Sequence, residues 1–251
     1  LTRDKEFAII TLNRPEALNA LSFEIVGQIG DAIAAAADTD ARALIITGAG
    51  NRAFSAGADI KELYGRTLAE QKASAHRGQR LFAQLDDIPI ASIALINGYA
   101  FGGGMELALA CTYRLATPNA KVGLPEIKLG LIPGYGGTIR LPRLIGEGRA
   151  IELVMTGRTV EAEEAQSIGL VNKIIEGDPM EAAMAYARNF TCYSLPVLKL
   201  ARESVMRALD APVLEGLKIE ADLNTLAFQT EDSIEGMNAF VDKRDAKFKD
   251  R

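Results

Sequence analysis

The stretch Ile90-Ala-Ser-Ile-Ala-Leu-Ile96-Asn-Gly-Tyr-Ala-Phe-Gly102-Gly-Gly-Met-Glu106-Leu-Ala-Leu-Ala-Cys111 decides the fold class. Ile90 to Ile96 is an apolar run of strand length, 97 to 103 is a small-residue loop, and the apolar segment that follows reads as a helix beginning at Gly103. The same layout occurs earlier: a strand at 43 to 47, small residues from 48 to 58, then a helix over about 68 to 85 with Thr67 and Glu70 spaced as a capping box. A repeated strand, loop and helix unit predicts an α/β fold whose helices pack on sheets, with ligand sites gathered at loops on one edge.

Working outward, Phe7 to Leu12 predicts a strand, and Ser22 is placed to cap a helix running to about Ala37. From Met180 the strand signals stop, and helices are expected over 180 to 190, 196 to 209, 213 to 229 and 233 to 245. The organisation expected is therefore a core over 1–180 and a helical region over 181–251.

Composition narrows the chemistry. The chain has 251 residues, 48% of them apolar and 24% charged, which is the profile of a globular protein. It holds one histidine, His76, and two cysteines, Cys111 and Cys192, so a His-rich metal site and a paired-cysteine zinc site are excluded, as is a disulfide framework. A reducing cytoplasm suits this cysteine usage, and the charged opening Leu-Thr-Arg-Asp-Lys-Glu has no apolar targeting stretch. The net charge of −5 offers no basic field for nucleic acid or an anionic membrane. The uncharged run from Pro89 to Met105 is interrupted by Asn97 and glycines, which argues against a membrane span.

Three glycine-rich segments compete for the site. Gly48-Ala-Gly50-Asn-Arg-Ala53 matches a dinucleotide-binding pattern but lacks the helix start and the later acidic strand end that such a unit needs. In the second, the amide of Gly103 at a helix start has no intrahelical acceptor and could hold an oxyanion; a tight strand-to-helix crossing would call for the same glycines. Glu106, three residues on, lies on the same helix face, either at a solvated edge or in a partly dry pocket that would raise its pKa. In the third, Glu126 follows Pro125 in a run of apolar and glycine residues reaching Gly136-Gly137. Two carboxylates beside an oxyanion donor make a plausible acid and base for water addition to a carbonyl compound. His76, with Lys72, Arg77 and Arg80, reads as a solvated helix face.

The run Arg52-Ala-Phe-Ser-Ala-Gly-Ala58-Asp-Ile-Lys61-Glu, with Gly98 to Glu106, Pro125 to Thr138, Gly157 to Val171 and Glu235 to Arg244, resembles the crotonase (enoyl-CoA hydratase/isomerase) superfamily over nearly the whole chain. The resemblance implies a spiral of repeated ββα units and a helical C-terminal region that builds homotrimers, often paired into homohexamers. It implies an oxyanion hole from the amides of Ala58 and Gly103, and a CoA site lined by Ala58, Asp59, Ile60 and Lys61. Phe240 and Lys243 match positions that contact the adenine end of CoA from a neighbouring subunit, and Gly134 would leave room for a water. Glu106 would act as base on that water and Glu126 would protonate the α-carbon, the pair expected of an enoyl-CoA hydratase in fatty-acid oxidation or a related degradation. No metal or cofactor is implied beyond the CoA of the acyl-CoA substrate. A Δ3,Δ2-enoyl-CoA isomerase, or a non-catalytic or RNA-binding protein on this fold, are the alternatives.

Overall fold

The all-buried strand Ala43–Gly48 has neighbours on both edges and sits at the centre of the first sheet. The computed structural model describes residues 1–251. Its strands are β1 (Thr2–Asp4), β2 (Phe7–Leu12), β3 (Ala43–Gly48), β4 (Ala53–Ser55), β5 (Ala91–Ile96), β6 (Tyr99–Phe101), β7 (Tyr113–Ala116), β8 (Lys121–Gly123), β9 (Val160–Glu161) and β10 (Lys173–Ile174). The first sheet runs β1-β2-β3-β5-β7-β10, parallel except for the β1-β2 hairpin. One row of the register joins Ile9, Ile45, Ile93 and Tyr113. Such unbroken apolar runs suit a parallel sheet covered on both faces.

The second sheet, β4-β6-β8-β9, replaces the strand, loop and helix repeat read from local pattern with the ββα unit that the family resemblance implied. Each of β3, β5 and β7 is followed within a few residues by a three-residue strand, β4, β6 or β8, and these pair in parallel with one another. The segments 48 to 58 and 97 to 103, expected as loops, therefore carry strands, and the unit is ββα. Three residues are too few to display an alternation in sequence. Gly48 serves this crossing and no cofactor: a Cβ there would lie 2.2 Å from the Ala53 carbonyl oxygen, and a strand follows it where a dinucleotide loop needs a helix.

The helices of the core are α1 (Phe23–Ala37), α2 (Ile60–Leu63), α3 (Leu68–Asp87), α4 (Gly103–Ala110), α5 (Gly137–Ile145), α6 (Glu147–Thr156) and α7 (Ala162–Ser167). Ser22 caps α1 by accepting from the Ile25 amide, and the Thr67–Glu70 capping box opens α3. The rest are α8 (Pro179–Thr191), α9 (Leu195–Arg207), α10 (Val213–Phe228) and α11 (Glu231–Asp242). None is long and apolar enough to cross a membrane. Helix α11 stops three residues short of the expected 245, because Lys243 turns left-handed (φ 54°) and the Arg244 guanidinium folds back onto Glu235.

The chain divides into two compact units, Leu1–Met184 and Ala185–Arg251, so the break falls inside α8 rather than at 180. In the second unit the buried Asp232 carboxylate accepts from the Lys249 and Asp250 amides and fastens the C-terminal tail to α11.

Within the first unit, Asn19 ties three segments together. It is 2% exposed and left-handed (φ 55°). Its amide nitrogen donates to the Ala49 and Ala53 carbonyls (3.1 and 2.7 Å), while its oxygen accepts from the Arg14 amide at 2.9 Å. Asn19→Ala strands those buried groups and loses the residue type that tolerates this backbone, which should lower unfolding free energy by about 3 kcal/mol. Urea denaturation measures it, and a loss below about 1 kcal/mol would show that Asn19 is not the tie described.

Candidate active site

Two backbone amides are left without acceptors at the junction of the two sheets. The first is Ala58. Leu21 pairs with it as an isolated parallel bridge, its amide donating to the Gly57 carbonyl at 2.7 Å and its carbonyl accepting from the Asp59 amide at 2.9 Å. That pairing uses the groups on either side of Ala58 and turns its own N–H the other way. The second is Gly103, first residue of α4. Gly102 before it adopts φ 50° and ψ −127°, a region open to glycine alone, and this bend starts the helix with the Gly103 amide outside the intrahelical ladder. A Cβ on Gly103 would lie 3.6 Å from the Ala58 nitrogen, so both amides border one small space.

Beside that space lie the two glutamates singled out from sequence. Every residue of α4 is buried, Glu106 included at 2% exposure, which settles its place in a dry pocket rather than at a solvated edge. Its Oε1 accepts from the Tyr135 amide at 2.7 Å and the Gly137 amide at 2.8 Å, at the N-terminus of α5. Burial raises the Glu106 pKa, and the amides of the 134–137 loop oppose that rise.

Glu126 has a different environment. It sits in the short 3-10 turn Pro125–Leu129, and its Oε1 is 3.0 Å from where a Cβ on Gly102 would be. Its Oε2 is buried without a hydrogen-bond partner. Burial, with the Glu106 charge adding to it, pushes the Glu126 pKa up to about 7. A negative charge is better received on Glu106, where two amides and the helix dipole meet it, than on Glu126, whose Oε2 has no donor. Two carboxyl groups in different surroundings beside two free amides have the chemistry to move a proton next to a carbonyl while its oxygen is held.

The other residues marked from sequence divide by environment. Gly134 borders open space, with nothing within 4 Å of where its Cβ would be. Asp59 caps α2 through the Lys61 amide and pairs with Arg14 at 2.8 Å, which holds its carboxyl below the usual range; these contacts give it a structural role. Ile60 and Lys61 on α2 are exposed, Ile60 by 52%. Phe240 (85% exposed) and Lys243 lie at the end of α11, in the second unit. His76 is exposed on α3, and burial lifts the Cys111 thiol to about 12, leaving it unreactive at neutral pH.

Leu21, which orients the Ala58 amide, and the Tyr135 amide, which holds Glu106, escaped the sequence reading. The glycine run Gly134-Tyr-Gly-Gly137 before an amphipathic helix was the available signal for the second.

The comparisons with known proteins agree with one another. Residues 2–251 match the family model described as enoyl-CoA hydratase/isomerase. A probable enoyl-CoA hydratase of Mycobacterium bovis is 42% identical over 99% of this chain and 96% of its own length. A crotonyl-CoA hydratase of Syntrophomonas wolfei is 39% identical over the same shares. The crystal structure of an enoyl-CoA hydratase subunit from Geobacillus kaustophilus superposes with a TM-score of 0.94 at 38% identity, covering 100% of this chain and 97% of that one. With the family model matching almost from end to end, and with relatives of this identity at nearly full length, the chain belongs to the enoyl-CoA hydratase/isomerase family and has the crotonase fold.

Proposed function

We propose that the protein hydrates trans-2-enoyl-CoA thioesters to 3-hydroxyacyl-CoA. The observation that carries this is the pair Glu106 and Glu126, whose surroundings favour opposite protonation states beside two unpaired amides. The Syntrophomonas wolfei relative, named for crotonyl-CoA, supports the substrate class.

In the reaction, the thioester oxygen accepts from the Ala58 and Gly103 amides. The Glu106 carboxylate takes a proton from water, whose oxygen bonds to the β-carbon. The electrons of the double bond move onto the thioester as an enolate, which the two amides stabilise. The enolate returns its electrons to the α-carbon as Glu126 delivers its proton there, and proton exchange between the carboxyl groups and solvent restores the starting state. Gly134 leaves space for the water. The thioester itself makes the α-position acidic, so these residues complete the reaction without a metal or redox cofactor.

Ala58 to Lys61 would line the CoA site, with Phe240 and Lys243 of a neighbouring subunit at the adenine end. The second unit exposes Val205, Leu209, Val213, Leu214, Leu217 and Phe228, each by more than half, which supports self-association, and the family resemblance gives three or six chains as its size. A molar mass in solution of three or six chains is expected, and a monomer would remove the neighbour's part in the site.

Glu106→Gln and Glu126→Gln should each lower kcat for crotonyl-CoA hydration by about 10²- to 10⁴-fold, whereas His76→Gln should leave it nearly unchanged. Near wild-type turnover by either glutamine variant would refute the two-carboxylate mechanism. Product analysis with 2-enoyl and 3-enoyl substrates separates hydration from isomerisation. Because Glu126 must be neutral to give its proton, and its raised pKa keeps it neutral up to about 7, kcat/KM should fall as pH rises through about 7. A profile level from pH 6 to 9 would contradict that assignment.

A further inference from the structure

The proposed reaction uses the Tyr135 amide, but its side chain is also fitted closely into the fold. The ring meets Phe82 of α3 edge-on, with centroids 5.5 Å apart at 86°. Where α3 passes closest, Gly78 carries no side chain, and the ring stands in its place: a Cβ there would lie 2.4 Å from Cδ1 and 2.5 Å from Cε1 of Tyr135. Two further contacts fasten the same surfaces together. Gln79 donates to the Gly134 carbonyl at 2.9 Å, and Arg140 of α5 pairs with Asp86 of α3 through two hydrogen bonds.

The opposite edge of the ring faces the free amides. Cδ2 of Tyr135 lies 3.7 Å from the point a Gly103 Cβ would occupy, the same point that is 3.6 Å from the Ala58 nitrogen. The ring therefore spans the distance from the thioester's seat to α3. Held by Phe82 and by the gap at Gly78, it cannot swing aside without losing packed contacts.

On the hydratase reading above, we propose that Tyr135 sets the acyl-chain length: its ring is the wall that closes the acyl site on the α3 side and confines it to short 2-enoyl groups. A longer chain has to displace a ring packed against Phe82 and Gly78, whereas a smaller residue at 135 would open space toward Gly78.

The test compares kcat/KM for crotonyl-, hexenoyl- and decenoyl-CoA in the wild type and in Tyr135→Phe, Tyr135→Leu and Tyr135→Ala. Wild-type kcat/KM should fall with chain length. Tyr135→Ala should raise the decenoyl-to-crotonyl ratio at least about 10-fold, mainly through a lower KM for decenoyl-CoA. Tyr135→Leu should lie between, and it carries the test alone if the alanine variant does not fold. Tyr135→Phe keeps the ring and should keep the wild-type ratio. Equal loss on all three substrates, or an unchanged ratio in the leucine and alanine variants, would overturn the proposal, as would a wild type indifferent to chain length. A wild type that does not hydrate crotonyl-CoA would instead overturn the hydratase reading, before any variant is made.

Discussion

The contact on which the site depends is the pair of hydrogen bonds from the Tyr135 and Gly137 amides to one oxygen of Glu106. A carboxylate on a helix that is buried along its whole length costs several kcal/mol to ionise unless donors meet it there. The two amides supply those donors at the head of α5, so the 134–137 loop is pinned to α4. Through Tyr135, Gln79 and Arg140 the same loop and helix are joined to α3. The positions of the proposed base and of the proposed acyl wall are thus consequences of one arrangement, in which the amides oppose the rise that burial gives the Glu106 pKa. Glu126 has a buried oxygen without a donor, and burial pushes its pKa up to about 7.

The second organising constraint is the crossing from one sheet to the other. Each long strand of the first sheet feeds a three-residue strand of the second, and the chain must then turn sharply to begin the next segment. At those turns backbone groups cannot all find partners in a ladder. Asn19 satisfies some of them, and Asn97 does the same by donating to the Gly48 and Gly50 carbonyls at 2.7 Å each. Two amides, those of Ala58 and Gly103, remain free. The proposed oxyanion hole is therefore a by-product of how a ββα spiral changes direction, and it uses backbone that side-chain substitution does not remove. That is why the proposed acid, base and oxyanion apparatus has no need of the chain's single, solvent-exposed histidine.

Where structure is governed by near neighbours in the chain, the sequence was legible. The Ser22 cap, the Thr67–Glu70 capping box, the strands β2, β3 and β5 and the start of α4 at Gly103 all follow from local pattern. The short strands β4, β6 and β8 did not, because they exist through pairing with one another across long separations, and three residues carry no period. The pattern from Gly48 to Ala53 showed the converse fault: a local match to a dinucleotide loop whose glycine is needed by an approaching carbonyl. The end of α11 was set by a left-handed Lys243 and an ion pair to Glu235, neither visible as a helical period.

For the site, the sequence by itself determined which groups are present: Glu106 one turn into a helix that begins on glycine, Glu126 behind a proline, and motifs of one family along nearly the whole chain. Only the tertiary structure decided what those groups can do. It placed Leu21 against Ala58, brought the Tyr135 and Gly137 amides onto Glu106 and left the Oε2 of Glu126 without a donor. The reason is physical: a carboxyl group's protonation state and an amide's freedom are set by what stands within a few ångströms, and those neighbours come from segments far away in the chain.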